Sequence, residues 1–225
     1  MNTVGQRLCL FAVAEEAKPF LRTARGMPGL RVEITGIGPR KAREAALLAL
    51  EKSRPTLVLS CGFAGGLDPS LPRGTVLCSV DDGFPLESAL IEAEAIHGRF
   101  VCSDRIVVTA AEKAALWQQT GADAVEMESG VIRAICRERG VPSATVRVIS
   151  DAADEDLPLD FNRLSGPNFE LSYARLAAEL LRRPGKALEL LRFRRVLRQA
   201  ACCLAPPLVK ALSDNSRTQA HPGSG

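Results

Sequence analysis

Carboxylates gather at three points of this chain where a strand-like run gives way to something else. Glu15 and Glu16 follow the apolar run 8–13. Glu126 and Glu128 flank Met127 where a short strand meets a helix, and Ser150 and Asp151 end the β-branched run 144–149. Between the first and second points lies Ser60-Cys61-Gly62-Phe63-Ala64-Gly65-Gly66-Leu67. It reads as a turn after a strand, whose small residues let backbone amides approach a ligand or an attacking water. A carboxylate can pass a proton, orient water or hold hydroxyl groups, so this set suits acid–base chemistry. Each segment also has a plainer reading. An acid in a first helical turn favours the helix dipole, Ser-Asp after a strand caps a helix or forms an Asx turn, and a Gly-rich turn is a tight loop.

The elements that must position these residues alternate in type. Residues 8–13, 30–35, 56–60, 76–80, 99–108, 123–127 and 144–149 read as strands. Residues 15–21, 39–51, 110–120 and 128–139 read as helices, the second opened by a proline after Gly36-Ile37-Gly38. That glycine pair lacks the third glycine and the acidic partner of a dinucleotide fingerprint, which excludes the cofactor reading. Alternation of this kind predicts an α/β sheet covered on both faces, with ligands at the carboxyl ends of its strands. The three carboxylate points and the Gly-rich turn all fall at such ends.

Beyond Asp156 the pattern becomes mainly helical, with 170–182, a break at Pro184-Gly185 and a basic helix over 186–204. Arg182 to Arg198 holds seven basic residues and one acidic residue, Glu189. Leu190, Phe193, Leu197, Ala201 and Leu204 make an apolar stripe at helical spacing. Such a helix either lies on an anionic membrane surface or packs on its own domain or a second subunit. One domain over residues 1–212 is expected, followed by a polar, disordered tail over 213–225.

Composition narrows the function classes. The chain is 46% hydrophobic and 24% charged with a net charge of +3, which fits one well-filled core and gives no case for nucleic acid. Aromatic residues at 4% are too few for a base-stacking surface. Seven cysteines without a C-x-x-C pair read as reduced thiols, and two histidines supply no zinc site, so no metal is expected. With no signal peptide before the first apolar run and no bilayer-length run, the expected location is cytoplasmic.

Five segments taken in order resemble the nucleoside phosphorylase and nucleosidase superfamily, especially the methylthioadenosine/adenosylhomocysteine nucleosidases. They are Ala14-Glu15-Glu16-Ala17, Thr35-Gly36-Ile37-Gly38, Gly62-Phe63-Ala64-Gly65-Gly66-Leu67, Glu126-Met127-Glu128 and Arg147-Val148-Ile149-Ser150-Asp151. The resemblance implies a three-layer αβα sandwich around a central mixed sheet, with extra C-terminal helices. It also implies cleavage of a purine nucleoside's N-glycosidic bond without a cofactor, in a homodimer. In that scheme Asp151 protonates N7 of the departing purine, with Ser150 orienting it. Glu128 accepts hydrogen bonds from the ribose hydroxyls, and Glu16 orients and deprotonates the attacking water. Met127, Ala64, Gly65, Phe63 and Ile106 would contact the substrate.

A carboxylate at position 16 would repel a phosphate dianion, which favours water as nucleophile. The hexameric phosphorylases of the superfamily place an arginine near this region, and here Arg22, Arg25 and Arg40 lie near Glu16 in sequence. Three features depart from the nucleosidases. Phe63 stands where they carry a small hydroxyl residue, the stretch 80–99 is shorter, and Ile106 replaces the aromatic ring under the purine. A subgroup, the hopanoid-associated phosphorylase-like proteins thought to act on adenosylhopane, is similar at Cys102-Ser103-Asp104, Met127-Glu128-Ser129 and Asp156-Leu157-Pro158. It implies a lipid-linked nucleoside, and the basic helix offers independent support through the peripheral membrane contact that it could make. The competing readings are a phosphate-dependent phosphorylase and a non-catalytic nucleoside-binding or membrane-associated protein.

Overall fold

The computed structural model describes residues 5–166, 169–170 and 172–213. Chain order is β1 (Arg7–Phe11), α1 (Ala14–Thr23), β2 (Leu30–Ile34), α2 (Pro39–Ser53), β3 (Leu57–Gly66), β4 (Val76–Val80), α3 (Glu87–Glu92) and β5 (Ile96–His97). There follow β6 (Phe100–Cys102), α4 (Ala110–Thr120), β7 (Ala124–Glu126), α5 (Ser129–Glu138), β8 (Ser143–Asp151), α6 (Phe161–Leu164), α7 (Tyr173–Arg182) and α8 (Gly185–Ser213).

The strands form one eight-stranded mixed sheet, in the order β2-β1-β3-β8-β4-β5, with β7 and then β6 added at the far end of β3. β2, β1, β3 and β8 run parallel, whereas β4 is antiparallel to β8 and β7 to β3. Strands buried on both faces must be apolar throughout, and side-chain alternation then feeds two cores. Cys9, Phe11, Leu57, Leu59, Cys61, Val146 and Val148 pack in one core with α1, α3 and the end of α8. Leu8, Leu10 and Val58 face the other way, against Ala42, Ala46 and Leu50 of α2 and Ile132, Ile135 and Cys136 of α5. The expected αβα architecture is present.

Two readings of the sequence need correction. Residues 61–66, expected as a turn, are the second half of the ten-residue β3, which stays hydrogen-bonded to β8 and then to β7. The small residues there serve close packing within a sheet. Of the strand expected over 99–108, only Phe100–Cys102 pairs. The loop after it finds other partners for its polar backbone groups. Ile106 exchanges two hydrogen bonds with the Asn162 carboxamide (2.9 and 2.8 Å), and the Leu157 amide donates to the Val108 carbonyl (2.8 Å). Of the two readings left open for the C-terminal stripe, packing on its own domain is the one observed. Ala201 and Leu204 are fully buried in the main core, and Phe193 stacks on Phe161 at 6.0 Å. From Ala200 onward α8 belongs to that core, and buried Arg7 donates to the Leu212 carbonyl at its end. The short elements α3, β5 and α6 were not anticipated. The expected tail lies outside the described residues, apart from Ser213, which ends α8.

Candidate active site

Glu16 takes its place from the start of α1. As the third helical residue it accepts the Val13 amide at the helix N-cap (3.0 Å), the carboxylate half of a capping box. Its other oxygen accepts the Phe63 amide of β3 (2.9 Å). The side chain of Phe63 packs with the main apolar core, so this residue meets the site through its backbone. Burial lifts the Glu16 carboxyl to about 7, against the pull of Arg147 and the two amides.

Arg147 is the charge around which this end is built. It lies fully buried on β8 opposite Gly62 of β3. Its guanidinium sits 2.6 Å from Glu126 and 3.3 Å from Glu128, and donates to the Cys61 carbonyl (3.2 Å) and the Ser60 hydroxyl (3.3 Å). Gly62 adopts φ +150, and an added Cβ would stand 2.5 Å from Arg147 Nη1 and 2.6 Å from Glu16 Oε1. Only glycine fits there.

Glu126 and Glu128, two residues apart, have different duties. Glu126 accepts the Glu128 and Ser129 amides (3.0 and 2.7 Å), the Ser129 hydroxyl (2.8 Å) and the Cys102 thiol (2.6 Å). Burial alone would raise its pKa, but Arg147 and these donors outweigh it and hold Glu126 below the ordinary carboxylate range. It anchors the start of α5. Glu128 has fewer partners, the Gly38 amide (2.8 Å) and the longer Arg147 contact. Burial, with Glu126 nearby, raises its carboxyl. Gly36-Ile37-Gly38 thus has a use after all, presenting an amide to Glu128 from the head of α2.

Asp151 lies farther along β8, beside the end of the same stretch of β3. The β3–β8 register shifts between Ala64 and Gly65, so that Ala64 faces Ile149 and Gly65 faces Asp151. Ser150 is the extra residue of this bulge, and bulges re-aim side chains. The Ser150 hydroxyl accordingly reaches Asp151 Oδ1 (2.6 Å) and, at 3.3 Å, the Ala64 carbonyl. A Cβ on Gly65 would approach Asp151 Oδ2 to 3.3 Å. That oxygen pairs at 2.5 Å with the ammonium of Lys113, which has no solvent exposure and also donates to the carbonyls of Ala152 (2.7 Å) and Glu155 (2.8 Å). Lys113 follows a capped helix start, Thr109 with Glu112, which fixes its direction.

The structure therefore joins Glu16, Phe63, Ala64, Gly65, Glu128, Ser150 and Asp151 through one segment of β3, with Met127 buried between Glu126 and Glu128. Ile106 lies apart from this bonded network, on a loop tied to α6 and to the residues after Asp151. Arg22 and Arg25 lie at and beyond the C-terminal end of α1, opposite the end that carries Glu16, and Arg40 pairs with Glu44 on exposed α2. Sequence reading singled out Glu126 without giving it a role and missed Arg147 as part of the site, although an arginine inside a β-branched strand was a visible signal. Lys113 gave none beyond being a cation on a mostly apolar stretch of helix.

A cleft of about 320 Å³ opens beside Ser150 and Asp151, walled by Arg73, Pro158 and, from α8, Arg192 and Phe193. A larger recess of about 460 Å³ lies at the β4–β5 edge and holds none of the expected residues. Of the two, the smaller one borders expected site residues, Ser150 and Asp151.

The Phosphorylase superfamily model matches residues 82–182, which span α4, both carboxylates of 126–128 and the end of β8. The chain has the phosphorylase-superfamily fold. Solved structures with this fold include futalosine hydrolase of Helicobacter pylori, at 20% identity over 95% of this chain and 99% of that one, TM-score 0.67. The methylthioadenosine/adenosylhomocysteine nucleosidase of Campylobacter jejuni aligns at 18% identity over 92% of this chain and 98% of that one, TM-score 0.67. That of Neisseria meningitidis, in complex with methylthio-immucillin-A, aligns at 20% identity over 92% and 98%, TM-score 0.68. The C-terminal helices thus belong to a chain of this fold whose end folds back into its own core.

Proposed function

We propose that this chain is a nucleosidase that hydrolyses the N-glycosidic bond of a 5′-modified adenine nucleoside. The observation that carries the reading is Glu16, a buried carboxylate fixed by two backbone amides with a pKa of about 7. A base with that affinity can take a proton from water at neutral pH. Its charge, crowded with those of Glu126 and Glu128, opposes a phosphate dianion. The one arginine beside it, Arg147, is already engaged by carboxylates.

In the proposed reaction the C1′–N9 bond breaks as Asp151 delivers a proton to purine N7, and the base leaves neutral. The Lys113 ammonium, 2.5 Å from Asp151, supplies that proton, while Ser150 keeps the carboxylate turned. Glu128 binds the ribose hydroxyls, a contact that strengthens as the sugar gains positive charge. Water adds to C1′ and gives its proton to Glu16; exchange with solvent restores both groups. Met127, Phe63, Ala64, Gly65 and Ile106 complete the substrate's surroundings. The solved relatives are named as hydrolases of futalosine and of methylthioadenosine or adenosylhomocysteine, which supports the reaction class. The altered positions Phe63 and Ile106 and the short 80–99 stretch favour a different 5′ group, a lipid-linked one such as that of adenosylhopane. With it go contact of the basic C-terminal segment with the inner membrane face, a cytoplasmic location and a homodimer.

The test is adenine release from adenosine, methylthioadenosine and a 5′-alkyl adenine nucleoside, with and without phosphate. Wild-type protein is expected to release adenine without phosphate, and Asp151→Asn to lose that activity by about 10²–10⁴-fold. Release only with phosphate would make the chain a phosphorylase. No release from any substrate would favour a nucleoside-binding protein.

A further inference from the structure

The outward surface of α7 and the first half of α8 differs from the rest of the chain. The two helices form a hairpin bent at Arg183-Pro184, and α7 has no buried residue. Four large apolar side chains stand out from it: Tyr173 (80% exposed), Leu181 (84%), Leu188 (54%) and Leu191 (60%). Elsewhere among the described residues exposed large apolar side chains occur singly, on α1, β2, α2, α3, β5 and α4. Scattered residues need no explanation, but a cluster on one hairpin does.

The charge around that cluster is mostly positive. Leu181 and Leu188 bracket the bend, and Arg182, Arg183 and Lys186 lie between them. Arg192, Arg194, Arg195 and Arg198 continue along α8. The acids of the hairpin, Glu179 and Glu189, pair with Arg183 and Lys186. Seven cations against two acids leave this face positive, and apolar side chains projecting among excess positive charge fit a surface that is anionic outside and apolar beneath. The inner side of the same helix walls the cleft at Asp151 through Arg192, Phe193 and Val196.

We propose that the bend of the α7–α8 hairpin docks on an anionic lipid bilayer, inserting Leu181 and Leu188 with Tyr173 and Leu191 beside them. This contact brings the helix that walls the Asp151 cleft to the membrane surface, which shortens the path of a nucleoside with an apolar 5′ chain from the lipid to the site. The docking face is the outer one, on the side away from the inward-turned stripe of Phe193, Leu197 and Leu204. Its use in substrate delivery rests on the nucleosidase reading above.

The experiment is flotation of the full chain with vesicles of phosphatidylcholine alone or with one-third phosphatidylglycerol. Three forms are compared: wild type, Leu181→Asp/Leu188→Asp and Arg182→Glu/Arg183→Glu. Wild type is expected to float with the anionic vesicles and to be released by high salt, and each variant to bind about tenfold more weakly or worse. All three are expected to hydrolyse soluble adenosine alike, because the altered residues lie outside the site. Failure of wild type to float, or equal flotation of the variants, would overturn the docking. So would a change in solution mass on Leu181→Asp/Leu188→Asp, which would mean that a second copy covers this face. Flotation as expected with no adenine release from adenosine, methylthioadenosine or a 5′-alkyl adenine nucleoside by any form would uphold the docking and count against the nucleosidase reading, so the two failures are told apart.

Discussion

The two ends of the site solve the problem of burying carboxylates in different ways. Around Arg147 three carboxylates, Glu16, Glu126 and Glu128, share one guanidinium. Negative charge is in excess there, and the structure accommodates it by raising Glu16 and Glu128 while Glu126 takes the shortest ion pair. Around Lys113 one ammonium serves one carboxylate, Asp151, and spends its remaining protons on backbone carbonyls. The first end is poised to accept a proton; the second holds a proton donor against a fixed carboxylate. The segment Gly62–Gly65 touches both ends, through the Phe63 amide at Glu16 and through Gly65 opposite Asp151.

Removing the shared cation should have the largest effect. Arg147→Met would leave three buried carboxylates without a counter-charge, at a cost of about 3–5 kcal/mol. In thermal unfolding this should appear as a fall in melting temperature on the order of 10 °C. An unchanged melting temperature would show that the cluster is not held as described. Glu16→Gln should separate chemistry from stability, with turnover lost by about 10²–10⁴-fold while the protein still folds. A variant with near-normal turnover would remove Glu16 from the mechanism.

Lys113→Met probes the other end and should cost less, about ten- to a hundredfold in kcat with KM little changed, since solvent can still protonate Asp151. If Lys113→Arg failed to restore part of the rate, a purely steric role would be the better account. Smallest is a pH effect with opposite signs on rate and stability. Because the Glu16 carboxyl titrates near 7 and must be ionised to act, kcat/KM should fall as pH drops through about 7. The same raised value means that the folded state binds this proton more tightly than the unfolded one. Its contribution to stability is therefore lost as pH rises from the ordinary carboxylate range through about 7. Melting curves and initial rates over this window check both signs.

Much of this was legible in the sequence, for reasons that differ by region. Strands such as Leu8–Leu10 and Val146–Val148 are apolar on both faces, and doubly covered sheets leave that mark. Glu16, Glu128 and Asp151 fall at element ends, where side chains are free to act. The Gly62–Gly66 stretch misled because glycines read as a turn when the local chain is considered alone; pairing to β8 and β7 is a tertiary fact. Lys113 was invisible because its partner lies 38 positions away and nothing in α4 hints at burial. The helix stripe at Leu190–Leu204 was a correct periodicity whose direction sequence could not supply: the core took it, leaving Leu181 and Leu188 outside.

The central claim is that water, steered by Glu16, attacks the sugar. It is tested most directly by running the reaction in ¹⁸O-labelled water with phosphate present and weighing the released sugar. The account predicts one ¹⁸O at C1′ and no sugar phosphate. A sugar 1-phosphate with no label at C1′ would contradict it.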